Sequence, residues 1–137
     1  MRIKSMNRQS RLFLTSGAVS ALLAVALGAF GSHGLENRLS ADLLAIYEIG
    51  NRYHFYHSFA LLAVGVLALH VDGRRLSASG WCFLVGLTVF SGSLYALAMT
   101  GMRILGAITP IGGGLLIIAW ALLAFEAYAT ASSPADD

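Results

Sequence analysis

Four apolar stretches, each close to the length of a membrane-crossing helix, decide what this chain can fold into. They run over about residues 12–31, 53–69, 81–99 and 104–127. A bilayer core is about 30 Å thick and takes roughly 20 mainly apolar residues as helix. Lipid offers backbone groups no hydrogen bonds, so a segment of this kind must satisfy its own. The expected fold is therefore all-α, an integral-membrane bundle of four transmembrane helices in a single domain, residues 1–137. Composition agrees. Hydrophobic residues make up 57% and charged residues 12%, against roughly 45–50% and about 25% in soluble domains. A water-soluble fold of this size could not cover so much apolar surface with so few charges.

The net charge is only +2 and no Lys/Arg stripe follows a helix face, which argues against a nucleic-acid partner. Cys82 is the single cysteine, so neither an intramolecular disulfide nor a thiolate zinc cluster can form. Inert packing is the expected role of that thiol.

Connections between the spans are short except for residues 32–52. There Ser40 is a suitable N-cap, and Asp42 in the following turn complements the helix dipole. Leu43, Leu44 and Tyr47 share one face. Residues 41–52 are thus expected to form a short interfacial helix leading into the second span. Basic residues give the orientation. Arg2, Lys4, Arg8, Arg11, Arg74 and Arg75 fall on one side, and Arg38, Arg52 and Arg103 on the other. Positively charged short loops stay in the cytoplasm, so both termini are expected there. The protein is then a multi-pass component of the bacterial inner membrane, with residues 131–137 as a disordered tail. A cleaved signal peptide ending near Ala24-Val25-Ala26 is the rival for the first span. Its apolar part would be only 7–15 residues, shorter than the run here.

Membrane helices associate where small residues let backbones approach. Gly17, Ala21, Ala24, Gly28 and Gly31 recur at spacings of four, three, four and three, which keeps them on one face of the first span. Gly92 and Ala96 in the third span, and Gly112, Gly113 and Gly114 in the fourth, are further packing candidates. The triple glycine lacks the Lys-Ser/Thr that a phosphate loop requires. Pro110 either kinks the fourth helix, because it cannot bond the Gly106 carbonyl, or begins it behind Thr109.

Polar groups inside a membrane are costly, so function is first sought among them. The candidates are His33, Tyr53, His54, His57 and Tyr95. Chain order places His33 just beyond the outer end of the first span and His57 one turn inside the second, with Tyr95 able to join. A polar plug under the outer headgroups is the expected result. Histidine can also bind metal or haem, or relay protons. Zinc sites need three or four ligands in patterns absent here. No haem-attachment motif is present, and no carboxylate lies in the middle of a span. No metal or other cofactor is expected.

Several blocks carry a family resemblance. They are the run Ala26-Leu27-Gly28-Ala29-Phe30-Gly31-Ser32-His33-Gly34-Leu35, the segment Tyr53-His54-Phe55-Tyr56-His57-Ser58, the block Phe90-Ser91-Gly92-Ser93-Leu94-Tyr95, and Ile108-Thr109-Pro110-Ile111-Gly112-Gly113. In this order they resemble the small bacterial inner-membrane family typified by YgdD and YwdK, a domain of unknown function. The resemblance implies a four-span membrane protein and carries no catalytic assignment.

The expected function is a non-enzymatic one: an accessory, assembly or complex-forming subunit, working in the lipid bilayer with a membrane-protein partner or as a homo-oligomer. A small transporter or channel using the outer His/Tyr cluster is the alternative, and a metal- or haem-binding subunit the second. A transporter would normally show internal repeats and polar groups near the midplane. The sequence has no clear repeat, and the middles of its spans read as apolar.

Overall fold

The computed structural model describes residues 6–131. Arg2, Lys4 and the tail after residue 131 lie outside the described residues. Regular structure among those described is entirely helical: α1 (Arg8–Phe30), a π-helical turn (Gly31–Leu35), α2 (Ala41–Leu67), α3 (Arg74–Thr100), a 3-10 turn (Arg103–Ala107) and α4 (Thr109–Ala131). Three segments, Arg8–Leu35, Arg74–Thr100 and Arg103–Thr130, are long and apolar enough to cross a membrane. α2 is as long as α3, at 27 residues. Asn51, Arg52, His54 and His57 set it apart in polarity.

Local sequence explains the helix ends. The Asn7 side chain caps α1 by accepting from the Ser10 N–H at 2.7 Å, and its Nδ2 donates to the Ala68 carbonyl at 2.7 Å. One residue thus caps a helix and ties it to the end of its neighbour. Ser40 caps α2, with Asp42 in the first turn. α3 ends at Gly101, whose φ of 70° is a left-handed conformation that glycine adopts without strain.

α2 packs between α1 and α3, and α4 lies on α3. α1 and α2 run antiparallel with a register marked at three levels. A Cβ on Gly17 would lie 3.0 Å from Leu62, one on Gly28 would lie 3.0 Å from Asn51, and one on Gly31 would lie 2.6 Å from Tyr47. Ala24 on the same stripe is fully buried, and Ala21 is half-buried. Gly65 meets Leu14 in the same way, and Gly50 sits against Ser91 and Leu94 of α3. Gly112 lies close to the Phe90 backbone and Gly86 to Leu116, which brings α3 and α4 together. Ser79 donates to the Ala119 carbonyl at 2.8 Å, and Ser93 and Thr109 share a 2.7 Å hydrogen bond.

Several expectations need correction. Residues 41–52 are not a separate short helix. They are the first half of α2, because Tyr47 and Gly50 are buried on the neighbouring helices as firmly as the residues that follow. Gly92 and Gly114 are not packing contacts, since an added Cβ there would meet nothing within 4 Å; Gly92 is exposed beside a groove between α1 and α3, and Gly114 is half-buried. At Gly113 an added Cβ would find only ordinary contact, 3.6 Å from Phe90. Pro110 is not a kink inside a helix. α4 starts at Thr109, so Pro110 occupies the first turn, where its missing N–H breaks no helical bond.

The outside is apolar. Leu22, Val25, Ile111, Ile117 and Phe125 are among the most exposed side chains, Ile117 at 73%. The core lies inward, around Phe13, Leu61, Val64, Leu76 and Phe83, with half-buried Cys82 packed against it.

Candidate functional site

The α1–α2 register draws together polar residues that look unrelated in sequence. Tyr47, Asn51, His54 and Ser58 recur at spacings of four, three and four, which places them on one face of α2. That face looks onto the small-residue stripe of α1, where Ser20 stands near the middle of the apolar run. His54, Ser58 and Ser20 are each at most 7% exposed.

Their hydrogen-bond donors can be assigned by elimination. Ser58 Oγ lies 2.7 Å from the His54 carbonyl, which can only accept, so the Ser58 proton is committed there. Ser20 Oγ, 2.7 Å from Ser58 Oγ, must then donate in that pair. With its own proton engaged, Ser20 accepts from His54 Nε2 at 3.0 Å. A neutral ring protonated on Nε2 has a bare Nδ1, which accepts from the Tyr95 hydroxyl at 3.1 Å. Asn51 Nδ2 donates to Tyr95 Oη at 3.1 Å and to the Ala24 carbonyl at 2.9 Å. The chain therefore has one direction, from Asn51 through Tyr95, His54 and Ser20 to Ser58, and it closes on the backbone of His54. One level outward, the Tyr47 hydroxyl donates to the Leu27 carbonyl at 2.6 Å, and its ring lies 4.9 Å from that of Tyr95.

His57 belongs to a second, separate arrangement. Its Nδ1 lies 2.7 Å from the Tyr53 carbonyl, so Nδ1 carries the proton. Nε2 accepts from Trp120 Nε1–H of α4 at 3.3 Å. The ring stacks on Tyr53 at 5.8 Å and lies 5.9 Å from Phe83. The two buried histidines are thus held in opposite neutral tautomers, each with both nitrogens engaged. Their lone pairs already accept a hydrogen bond, which leaves none directed at a metal. Among the described residues, no three His, Cys, Asp or Glu side chains converge on a common point.

The five sequence candidates do not form one cluster. His54 and Tyr95 bond directly, and Tyr53 and His57 stack, but His54 turns toward Ser20 of α1 and His57 toward Trp120 of α4. His33 stands apart: it is exposed on the π-helical turn, and its side chain bonds none of the described residues. The expected outer plug is therefore replaced by a deeper network. The physical reason is the length of α2. Its first turns rise beyond the end of α1, so His54 lies opposite Ser20 rather than beside His33. Sequence reasoning left out Asn51, Ser20 and Trp120, and the middles of the helices are not wholly apolar. The four-three-four polar stripe on α2, with the same spacing as the small-residue stripe on α1, was the available signal.

One buried hydroxyl stays outside the network. Ser91 Oγ on α3 has no hydrogen-bond partner although the residue is 2% exposed. It lines a groove between α1 and α3, next to His54 and Tyr95.

The chain matches, over residues 27–113, the family described as "Protein of unknown function (DUF423)". It is 47% identical over 113 residues to the UPF0382 membrane protein SSP2132 of Staphylococcus saprophyticus, an overlap of 82% of this chain and 93% of that one. It is 44% identical over 118 residues to the UPF0382 membrane protein YwdK of Bacillus subtilis, covering 85% and 96%. A UPF0382 membrane protein of Staphylococcus epidermidis is 46% identical over 113 residues, covering 82% and 92%. No solved structure matches.

Proposed function

This chain belongs to the DUF423 family of membrane proteins of unknown function, and from that premise we propose that it is a four-span, non-enzymatic, complex-forming subunit of the bacterial inner membrane. α2 is the fourth span in this reading. At 1.5 Å per residue its 27 residues reach about 40 Å, some 10 Å more than a bilayer core needs. The excess puts the first turns of α2 at the outer interface, beside the π-helical turn, with Asp42 and Glu48 in the headgroup region. Asn51, His54, His57 and Ser58 can lie within the bilayer because they face protein rather than lipid. Basic residues at the start of α1 and α3 set both termini in the cytoplasm.

One observation carries the non-enzymatic reading: in the chain running from Asn51 to Ser58 every hydroxyl and ring proton is committed. A proton relay needs an exit for the proton and a general acid or base needs access to a substrate, and this chain ends blind, with buried Ser58 donating to the His54 carbonyl. Mid-depth polar groups do favour the rival class, a small transporter. The chain, however, closes on the carbonyl of His54 and holds no carboxylate or cation to carry a coupled ion. Polar contacts of this kind hold helices together where lipid supplies no hydrophobic drive. The apolar exterior of α1 and α4 remains for lipid and for a partner or a second copy.

Two measurements test the proposal. In a Cys82→Ser background, a cysteine at Asn37 should react with a membrane-impermeant thiol reagent in intact cells, and one at Ser77 should not. The opposite pattern would invert the topology. Blue-native electrophoresis of gently solubilised membranes should place the 14.5 kDa chain in a larger assembly whose visible spectrum has no haem band. A monomer, or a Soret band that follows the protein, would overturn the subunit reading.

A further inference from the structure

α1 and α3 barely touch. Phe13 packs against Gly80 and lies edge-on to Trp81. Past that level a groove of about 350 Å³ runs between the two helices, floored by His54 of α2. That volume falls at the small end of the range for ligand pockets, about 300–1,000 Å³. Its walls are apolar, and Val19 and Leu23 at the rim are about half exposed. The groove thus opens sideways, toward lipid in the four-span arrangement. No Lys, Arg, Asp or Glu lines it, so an occupant would be uncharged.

The hydroxyls of the groove specify its polar end. Ser16 and Thr88 donate to carbonyls of their own helices, Phe13 and Leu84. Ser20 and Tyr95 are committed to the His54 chain. Ser91 alone has a free proton, and its oxygen is buried without a partner. An orphaned buried hydroxyl is costly, and acyl chains filling the groove would leave it orphaned. A hydrogen-bond acceptor on an apolar molecule would satisfy it.

We propose that the α1–α3 groove is a binding site for an uncharged, membrane-soluble molecule whose carbonyl oxygen accepts a hydrogen bond from the Ser91 hydroxyl. Two sources supply that chemistry inside a bilayer: a ring ketone on an apolar tail, and the ester of a glycerolipid. The site rests on the four-span placement but not on the subunit role, because Ser91 is not a member of the hydrogen-bond chain.

The test uses the full chain in dodecyl maltoside, a detergent with no carbonyl. It is titrated with decylubiquinone and, separately, with dioleoylglycerol, an uncharged glycerolipid, and its dialkyl-ether analogue, with bound probe counted by native mass spectrometry. One carbonyl probe should bind saturably, one per chain. Ser91→Ala should weaken it about fivefold, the effect of one neutral hydrogen bond. This variant loses no protein contact of the hydroxyl, so it should melt no lower than wild type without probe. Gly92→Leu fills the groove from a position where an added Cβ meets nothing within 4 Å, and should abolish binding while leaving the fold intact. Preference for decylubiquinone identifies a ring ketone; preference for the ester lipid over the ether identifies a glycerolipid. Equal binding of both lipids with no quinone binding, or unchanged binding by Ser91→Ala, would overturn the proposal.

Discussion

Replacing His54 by leucine should be among the most damaging single changes within the bundle that leave its small-residue contacts untouched. The imidazole accepts from Tyr95 and donates to Ser20, at 3.1 and 3.0 Å. Interhelical hydrogen bonds in membranes average about 0.6 kcal/mol and reach about 1.7, so two of them represent roughly 1–3 kcal/mol. The Tyr95 proton is also left without an acceptor, whereas Ser20 keeps its bond to Ser58; one buried unsatisfied group adds about 1–3 kcal/mol. A total of about 2–4 kcal/mol follows after allowing for rearrangement of Tyr95. The donor assignment gives a sharper expectation. His54→Gln keeps a neutral side chain with one acceptor and one donor, and should recover more than half of the loss. Unfolding in mixed micelles by titration with SDS reads both. Two results would refute the reasoning: His54→Leu as stable as wild type, or His54→Gln as damaging as leucine. A cycle with Ser20→Ala should be non-additive, because the two residues share one chain.

Gly28→Leu should destabilise by about 1–3 kcal/mol, the usual effect of overpacking, because a Cβ there would lie 3.0 Å from Asn51. Leu22→Ala, at a side chain 66% exposed, should stay within about 0.5 kcal/mol; the same unfolding assay compares them. His57→Ala should cost about 1–3 kcal/mol by leaving the Trp120 N–H unpaired, while His33→Ala changes little and the two effects simply add. A blue shift or intensity change in Trp120 fluorescence on His57→Ala, followed in a Trp81→Phe background, gives an independent check. Coupling between His33 and His57 would contradict the separation described above.

The sequence by itself determined the class of fold and the face that α1 turns to its neighbour. Long apolar runs can be solvated only by lipid, and small residues at helical spacing mark close approach whatever the partner. The Ser40 cap and the family were legible too, because both are written in contiguous residues. What tertiary structure decided was register. A helical period names a face, but it says nothing about the level at which two faces meet. Sliding α2 along α1 by two turns would set His54 near His33 and leave Ser20 facing apolar side chains. The actual pairing is fixed by which residue meets each glycine: Leu62 at Gly17, Asn51 at Gly28, Tyr47 at Gly31. Those contacts are non-local, between residues 16 to 45 positions apart, and no local pattern encodes them. Hence His33, though part of a recognisable block, lies exposed, while Ser20, an unremarked serine in an apolar helix, stands at the centre of the network. The same holds for Gly92 and Gly114, whose spacing suggested contact and whose surroundings are open. Whether a small residue is a contact or a gap depends on the helix opposite, and only the packed chain supplies it.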